Sequence, residues 1–135
     1  MKTILTVALA LGVVAVAKAE DKKVDTRVFE LRIYHAHPGK MQALHARFRD
    51  HTNALFKKHG MEIIAFWVPT DPKEADQKLI YVLAYPSEAA GKKSWEAFVN
   101  DPDWKKAKEA SEKDGKLVDK VDSVYMHPTD YSPIK

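Results

Sequence analysis

The segment from residue 28 to residue 34 alternates apolar and polar side chains, which is the pattern of a β-strand. One face of this strand is apolar and can only be a core face: Phe29, Leu31 and Ile33. The other face carries a carboxylate, a guanidinium and a phenol in line: Glu30, Arg32 and Tyr34. If a second layer covers this face, the charges must pair with each other or with a ligand, because an unpaired buried charge is too costly.

A helical pattern follows the first strand. Apolar residues recur every three or four positions after Lys40, and Gly60 ends this helix as a left-handed cap. The predicted buried stripe of the helix is Met41, Leu44, Phe48, His51 and Leu55. The remaining elements are predicted in this order: strand 62–68, strand 78–85, a helix capped by Ser87, a helix capped by Asp101, and strand 117–126.

This order of elements predicts an α+β fold, a ferredoxin-like βαββαβ sandwich with its helices on one face of an antiparallel sheet. The two middle strands, however, carry apolar side chains on both faces. Helices can cover only one of these faces, so the other needs a second layer. A second copy of the same sheet is the simplest such layer. We therefore predict a homodimer that forms a dimeric α+β barrel.

The N-terminal segment has the pattern of a secretory signal peptide over residues 1–19. Lys2 precedes an apolar run from residue 4 to residue 17, and Ala17-Lys18-Ala19 provides the small-x-small cleavage pattern. We expect an exported protein, periplasmic or secreted, with a charged leader at 20–26 before the folded domain. The alternative is an uncleaved N-terminal anchor. No membrane span is expected after signal cleavage.

Charge and cysteine content exclude several classes of function. The formal net charge is +3, and the loss of Lys2 and Lys18 with the signal peptide lowers it by two. The remaining lysines are interleaved with acidic residues, so nucleic acid is not an expected partner. The chain has no cysteine, which excludes disulfides, thiol catalysis and thiolate metal sites.

Several separated motifs occur in a distinctive order along the chain. They are Val-Phe-Glu-Leu-Arg-Ile-Tyr at 28–34 with Pro38-Gly39-Lys40, the segment 51–61 running into Phe66-Trp67, Ser94-Trp95, Asp101-Pro102-Asp103-Trp104, and the closing segment 124–132. Together they resemble the NIPSNAP family and define a NIPSNAP-like domain at 27–133. The resemblance implies a dimeric α+β barrel, similar in shape to small cofactor-free monooxygenases and haem-degrading proteins. It does not imply a particular reaction.

The polar face of the first strand supplies three candidate ligand-binding residues, which match the family's strand motif: Glu30, Arg32 and Tyr34. Arginine can bind an anion through two parallel hydrogen bonds, and tyrosine can donate a directional one. These residues could orient the polar end of an anionic or amphipathic ligand. The alternative is a structural ion pair inside the dimer barrel.

His51 is the candidate catalytic residue and a candidate ligand contact, since leucine or phenylalanine would be unremarkable at its position in the stripe. An imidazole there could act as a base or bind a metal or haem iron. The alternative is a histidine at the edge of the stripe, hydrogen-bonded to the backbone or to a strand side chain. His35 and His37 share a strand face but lack a third ligand, so no metal site and no cofactor are predicted.

Aromatic residues are predicted to line the space between sheet and helices, where they could stack on a flat apolar ligand. Trp67, Tyr81 and Trp95 are the candidates for ligand contact, and a plain aromatic core is the alternative. We predict an exported homodimer that binds a small apolar or amphipathic molecule between sheet and helices. Two alternatives remain open: a cofactor-free monooxygenase-like or haem-handling enzyme that uses His51, and a structural module that binds protein partners.

Overall fold

The computed structural model describes residues 27–135, so the predicted signal peptide and leader lie outside the described residues. The strands of this part are β1 (Val28–Ala36), β2 (Glu62–Trp67), β3 (Lys78–Tyr85) and β4 (Val118–Met126). The helices are α1 (Met41–Arg47), a π-helical segment (Phe48–Thr52), α2 (Asn53–Lys58), α3 (Pro72–Ala75), α4 (Glu88–Asn100) and α5 (Pro102–Ser111).

The four strands form one antiparallel sheet in the order β2-β3-β1-β4. β1 lies in the centre of the sheet, where Arg32 stands between Tyr81 of β3 and Ser123 of β4. This order is that of a ferredoxin-like fold, and the predicted α+β class is confirmed. The short hairpin between β2 and β3 contains α3, a single helical turn capped by the Asp71 carboxylate.

Local sequence signals explain where the longer helices begin and end. Gly60 adopts a φ of 73°, the left-handed conformation that ends α2. The Ser87 hydroxyl accepts a hydrogen bond from the Ala90 amide at the start of α4. Asp101 accepts one from the Asp103 amide at the start of α5, with Pro102 at the first helical position. These three predicted boundaries are confirmed.

The helices cover the face of the sheet that carries Glu30, Arg32 and Tyr34. The core between sheet and helices is formed by large apolar and aromatic side chains: Met41, Leu44, Phe48, Leu55, Phe56, Met61, Leu79, Tyr81, Leu83, Tyr85, Phe98 and Leu117. The prediction that the Phe29 face of β1 is the core face is therefore wrong, because the core between sheet and helices lies on the other face. The polar residues of β1 are tolerated under the helices because they bond to one another, as described below.

The helix after β1 is not a regular α-helix, and this changes its buried stripe. In the π-helical segment, the Asn53 amide donates to the Phe48 carbonyl, five residues earlier. Each residue of such a wide turn advances the helix by a smaller rotation. Thr52 therefore takes the buried position after Phe48, and His51 is exposed. The prediction that His51 lies on the buried stripe is wrong.

A β-bulge changes the alternation of side chains in β2. Ile63 pairs with Leu83 and Ala65 pairs with Val82, so Ile64 is an extra residue in this strand. Phe66 consequently points toward the helices and Trp67 points away from them. The prediction that Trp67 lines the space between sheet and helices is wrong, since its side chain is 50% exposed on the opposite face.

We call this opposite side of the sheet the open face. It presents apolar side chains from all four strands: Phe29, Leu31, Ile33, Ile64, Trp67, Ile80, Val82, Ala84, Val124 and Met126. Residues of the C-terminal segment after β4 border the Phe29 end of the open face, around a groove of about 340 Å³. No helix of the described residues covers it, and Val124 on the edge strand β4 is 51% exposed. The predicted pattern of two apolar faces and one helical layer is present.

Candidate functional site

The polar residues of β1 form the centre of a buried cluster. The Glu30 side chain is 1% exposed, and its carboxylate accepts hydrogen bonds from four side chains. At Oε1 the donors are the Tyr85 hydroxyl and the Trp95 indole N–H, both at 2.7 Å. At Oε2 the donors are Arg32 Nη1 at 2.7 Å and the Ser123 hydroxyl at 2.6 Å. This carboxylate is thus almost fully hydrogen-bonded within the fold.

The network fixes the charge state of the cluster. Burial by itself would raise the pKa of Glu30, but hydrogen bonds from Ser123 and Tyr85 and the charge of Arg32 outweigh it, and the pKa is lowered. Burial and the hydrogen bond to Glu30 raise the pKa of Tyr85. Glu30 is therefore an anion and Tyr85 a neutral donor at neutral pH. A carboxylate with a lowered pKa is a poor general base.

Arg32 connects the cluster to the aromatic side chains of the core. Its guanidinium carbon lies 4.0 Å from the centre of the Trp95 ring and 5.5 Å from that of Tyr34. The Nε atom of Arg32 and the hydroxyl of Tyr81 are buried without a hydrogen-bond partner. Burial raises the pKa of Tyr81 well above its ordinary value, so this phenol stays neutral.

The aromatic side chains around Arg32 pack tightly against one another. Tyr34 makes edge-to-face contacts with Phe48 at 5.7 Å and with Tyr81 at 5.3 Å between ring centres. Trp95 contacts Phe56 and Phe98 in the same way. These contacts fill the centre of the layer between sheet and helices. Space for a ligand is found at the edge of this layer instead.

A cleft of about 290 Å³ opens at that edge, between the first helix (α1, the π-helical segment and α2 together) and the β2–β3 side of the sheet. We call it the helix–strand cleft. Its apolar wall is formed by Phe48, Phe66, Trp67, Val68 and Leu79. Its polar groups all come from the first helix: His45, Arg49 and Asn53. Phe48 and Phe66 also contact Tyr81, so they separate the cleft from the Arg32 cluster.

The π-helical segment places the polar groups of the helix–strand cleft. Arg49 lies within this segment and Asn53 directly follows it, and helix bulges of this kind are frequent at functional sites. The side-chain oxygen Oδ1 of Asn53 is buried and has no hydrogen-bond partner. Burial and the nearby charge of Arg49 lower the pKa of His45, so its imidazole is neutral at neutral pH. The cleft therefore combines one cation, one unpartnered amide oxygen and an apolar wall.

Five of the seven predicted site residues are brought together by the fold. Glu30, Arg32, Tyr34, Tyr81 and Trp95 lie between the sheet and the helices. His51 is exposed, and Trp67 lies at the border of the helix–strand cleft and the open face. Ligand contact by any of the seven residues stays a prediction.

Several residues of the cluster and the cleft were missed by sequence reasoning. Ser123 bonds to Glu30, and Arg49 and Asn53 line the cleft. The alternation of side chains in β4 could have placed Ser123 on the same face as Glu30. Arg49 and Asn53 have no such signal, because their orientation depends on the π-helical segment.

The histidines at the end of β1 pair with carboxylates of β4. His35 Nε2 lies 2.7 Å from Asp122 Oδ2, and His37 Nε2 lies 3.9 Å from Asp119 Oδ1. Among residues 27–135, no three histidine or acidic side chains are placed to hold a metal ion. In the same part of the chain, none of the helices is both long enough and apolar enough to span a bilayer.

Comparison with known proteins identifies the family. The NIPSNAP family model matches residues 29–133 of the chain. The chain belongs to the NIPSNAP family. Among curated proteins, none matches the chain.

Solved structures of other proteins support the fold of this NIPSNAP chain. A NIPSNAP family protein from Agrobacterium tumefaciens strain C58 superimposes with a TM-score of 0.69 at 21% identity, covering 81% of this chain and 99% of that one. An uncharacterized NIPSNAP-like domain protein from Burkholderia xenovorans gives a TM-score of 0.68 at 16% identity, over 81% of this chain and 90% of that one. SnoaB, a cofactor-independent oxygenase from Streptomyces nogalater, gives a TM-score of 0.54 at 11% identity, covering 80% of this chain and 98% of that one. At these identities the likeness concerns the fold alone.

Proposed function

We propose that this NIPSNAP protein binds a small amphipathic molecule in the helix–strand cleft. The observation that carries the proposal is the composition of the cleft. Its wall is apolar and aromatic, and its three polar groups lie together on the first helix. Sites for small molecules typically combine an apolar wall with a few polar groups that fix orientation.

The proposal keeps the predicted ligand class but moves the ligand from the centre of the sheet–helix layer to its edge. In the centre, Glu30 already neutralises Arg32 at 2.7 Å, and aromatic rings fill the space. The Glu30–Arg32 pair is better explained as a structural ion pair. At the edge, the described residues provide no carboxylate partner for Arg49 and no hydrogen-bond donor for the Oδ1 atom of Asn53.

Phenylnaphthylamine, an uncharged fluorescent amphipathic probe, tests the proposal. We expect saturable binding with one probe per chain. Replacement of Asn53 by phenylalanine should fill the cleft and abolish this binding. Ala54→Phe is the matched control, because Ala54 is the next residue on the helix and is exposed outside the cleft. Equal binding of phenylnaphthylamine to the two variants and to the unmodified protein would refute the proposal.

We further propose that the protein is a homodimer whose two sheets pack through their open faces. The support is the apolar composition of the open face, which presents side chains such as Leu31, Val82 and Val124 with no helix over them. A second copy offers a face of the same shape and chemistry, related by a two-fold axis. A stable interface of this kind buries roughly 800 Å² on each partner.

The two alternative functions receive less support. The oxygenase alternative depends on His51, and His51 is exposed. SnoaB is described as a cofactor-independent oxygenase, but only its fold is comparable with that of this chain. The alternative of a module for protein partners remains open, and absence of phenylnaphthylamine binding from a well-folded protein would favour it.

Export remains part of the proposal. Its support is the sequence of residues 1–19, with Lys2, the apolar run and the Ala17-Lys18-Ala19 pattern. N-terminal sequencing of protein recovered from an expressing bacterium is expected to begin at Glu20. A chain that retains Met1 and sediments with membranes would instead identify an uncleaved anchor.

A further inference from the structure

We infer that the helix–strand cleft selects an organic anion, which Arg49 binds through its guanidinium while the ligand donates a hydrogen bond to Asn53. This inference rests on the proposed function and names its ligand class. The ligand has an apolar body, an acidic group such as a carboxylate or sulfonate, and a hydrogen-bond donor beside it.

Arg49 differs from the other arginines of the chain in its surroundings. Arg27 pairs with Glu62, Arg32 with Glu30 and Arg47 with Glu112, at distances between 2.7 and 3.3 Å. Arg49 forms no ion pair or side-chain hydrogen bond within the described residues. Within residues 27–135, Arg49 is thus the one arginine without a carboxylate partner, and it lines a cleft.

Among the residues that the structure describes, the lining of the cleft supplies no negative charge that could pair with Arg49. Its lining contains a histidine, an asparagine and apolar side chains, and no aspartate or glutamate. The lowered pKa of His45, caused by burial and then by the charge of Arg49, is consistent with an uncompensated positive field at this place. An anionic group of a ligand would compensate this field, and a guanidinium matches a carboxylate or sulfonate through two parallel hydrogen bonds.

Asn53 indicates the second polar feature of the ligand. Its Oδ1 atom is buried without a partner, and leaving such an acceptor unsatisfied costs free energy. Arg49 and Asn53 are four residues apart on one helix and face the same cleft. A ligand donor close to the acidic group would therefore meet Oδ1 when the acidic group meets Arg49.

Two fluorescent probes that differ in a single acidic group separate the anion effect from apolar binding. Anilinonaphthalene sulfonate carries an N–H donor beside its sulfonate, and phenylnaphthylamine lacks the sulfonate. We expect Arg49→Gln to raise the Kd of the sulfonate probe about tenfold or more, because one charge-assisted contact is lost. The Kd of phenylnaphthylamine should change by less than about twofold, since the apolar wall is intact.

Lys57→Gln is the matched control, because it removes a positive charge from the same helix at an exposed position outside the cleft. It should leave both Kd values unchanged. Two results would overturn the inference: the Kd of the sulfonate probe rises equally in Arg49→Gln and Lys57→Gln, or it rises in neither variant. In that case phenylnaphthylamine binding that is lost in Asn53→Phe would still uphold the proposed function. Indifference of both probes to Asn53→Phe would refute the proposed function itself.

Discussion

Single residues decide whether the polar face of β1 can be buried. Glu30 lies under the helices with a full complement of donors, and each donor comes from a different element: Arg32, Tyr85, Trp95 and Ser123. Such a network adds little net stability compared with apolar packing, but it is costly to break. Since it joins β1, β3, β4 and α4, we interpret it as a device that fixes how these elements fit together.

Glu30→Gln should lower the free energy of unfolding by about 3–5 kcal/mol, because it leaves Arg32, whose side chain is only 16% exposed, without a counter-charge. Ser123→Ala removes one hydrogen-bond donor and keeps the ion pair, so the free energy of unfolding should fall by only about 1 kcal/mol. Urea unfolding followed by circular dichroism measures both values. A cost for Glu30→Gln no larger than that for Ser123→Ala would show that the ion pair is dispensable.

Gly91 allows α4 to approach the Glu30 network closely. An added Cβ atom at this position would lie 2.7 Å from the Tyr85 ring, which is too short for a van der Waals contact. Gly91→Ala should therefore push Tyr85 away from Glu30 and cost about 1–3 kcal/mol, despite the higher helix propensity of alanine. Ala90→Gly, a change in the opposite direction at the preceding position, should cost about 1 kcal/mol or less through propensity alone. A thermal melt of each variant provides the comparison.

Among the elements, the first helix shows most clearly what the sequence could and could not predict. Its start, its end at Gly60 and most of its stripe follow from apolar spacing and capping residues. The π-helical segment could not be predicted in this way, because the spacing of Phe48, His51 and Leu55 is also that of a regular α-helix. The bulge at Ile64 in β2 was missed for the same reason, since an all-apolar strand gives no alternation to detect. Both misses concern a single extra residue, and each one displaced a predicted site residue.

Deletion of Asp50, an exposed residue of the π-helical segment, should convert the first helix to a regular α-helix and preserve the burial of Thr52, Leu55 and Phe56. We expect a cost below about 2 kcal/mol in folding. Deletion of exposed Ala54 is the control, because it would rotate Leu55 and Phe56 off the core at about 3–5 kcal/mol. Circular dichroism melts of the two variants test this, and equal costs would contradict it.

The junction between α2 and α5 predicts how the fold responds to acid. Asp101 caps α5, and its carboxylate lies 2.8 Å from Lys58 Nζ and 2.7 Å from His59 Nε2. Hydrogen bonds from Lys58 and His59 and from the Asp103 amide lower the pKa of Asp101 below its ordinary value of 3.8. Since the folded-state pKa is lowered, the ionised carboxylate stabilises the fold above pH 3.8, and this contribution is lost as the pH falls through the folded-state pKa.

Asp101→Asn should therefore lower Tm at neutral pH and reduce the loss of Tm on acidification below about pH 4. Scanning calorimetry between neutral and acidic pH measures both effects. Asp103→Asn is the control, because Asp103 is exposed and lies 3.6 Å from Lys58. Parallel Tm profiles for the unmodified protein and Asp101→Asn would exclude this explanation of the acid response.

At the scale of the whole molecule, the order of strands and the two apolar faces could be predicted from the sequence, whereas the side taken by the helices could not. Leu31 and Ile33 were predicted to form the core face because they are apolar. The face with Glu30 and Arg32 was predicted to need pairing of its charges only if a second layer covered it. The helices cover the polar residues, since Glu30 finds its partners only there. Apolar character alone did not distinguish a face covered by helices from a face left open.

Val124→Glu should convert the proposed homodimer to a monomer without unfolding the chain. Val124 is 51% exposed on the open face, so a carboxylate there is tolerated in the isolated subunit and is buried unpaired in the dimer. Val121→Glu is the control, because Val121 is 39% exposed on the same strand but on the opposite side. Sedimentation equilibrium should find Val121→Glu dimeric. A monomeric unmodified protein at micromolar concentration would refute the dimer.

The position of Trp67 would link the two proposed equilibria, ligand binding in the helix–strand cleft and self-association through the open face. This one indole borders both the helix–strand cleft and the groove on the open face. If occupation of the cleft changes the arrangement of Trp67, it changes the surface offered to a second copy. Thermodynamic reciprocity then requires that self-association alter the affinity of the cleft by the same factor. Titrations of the protein at several concentrations would reveal this coupling as a dependence of apparent affinity on dilution.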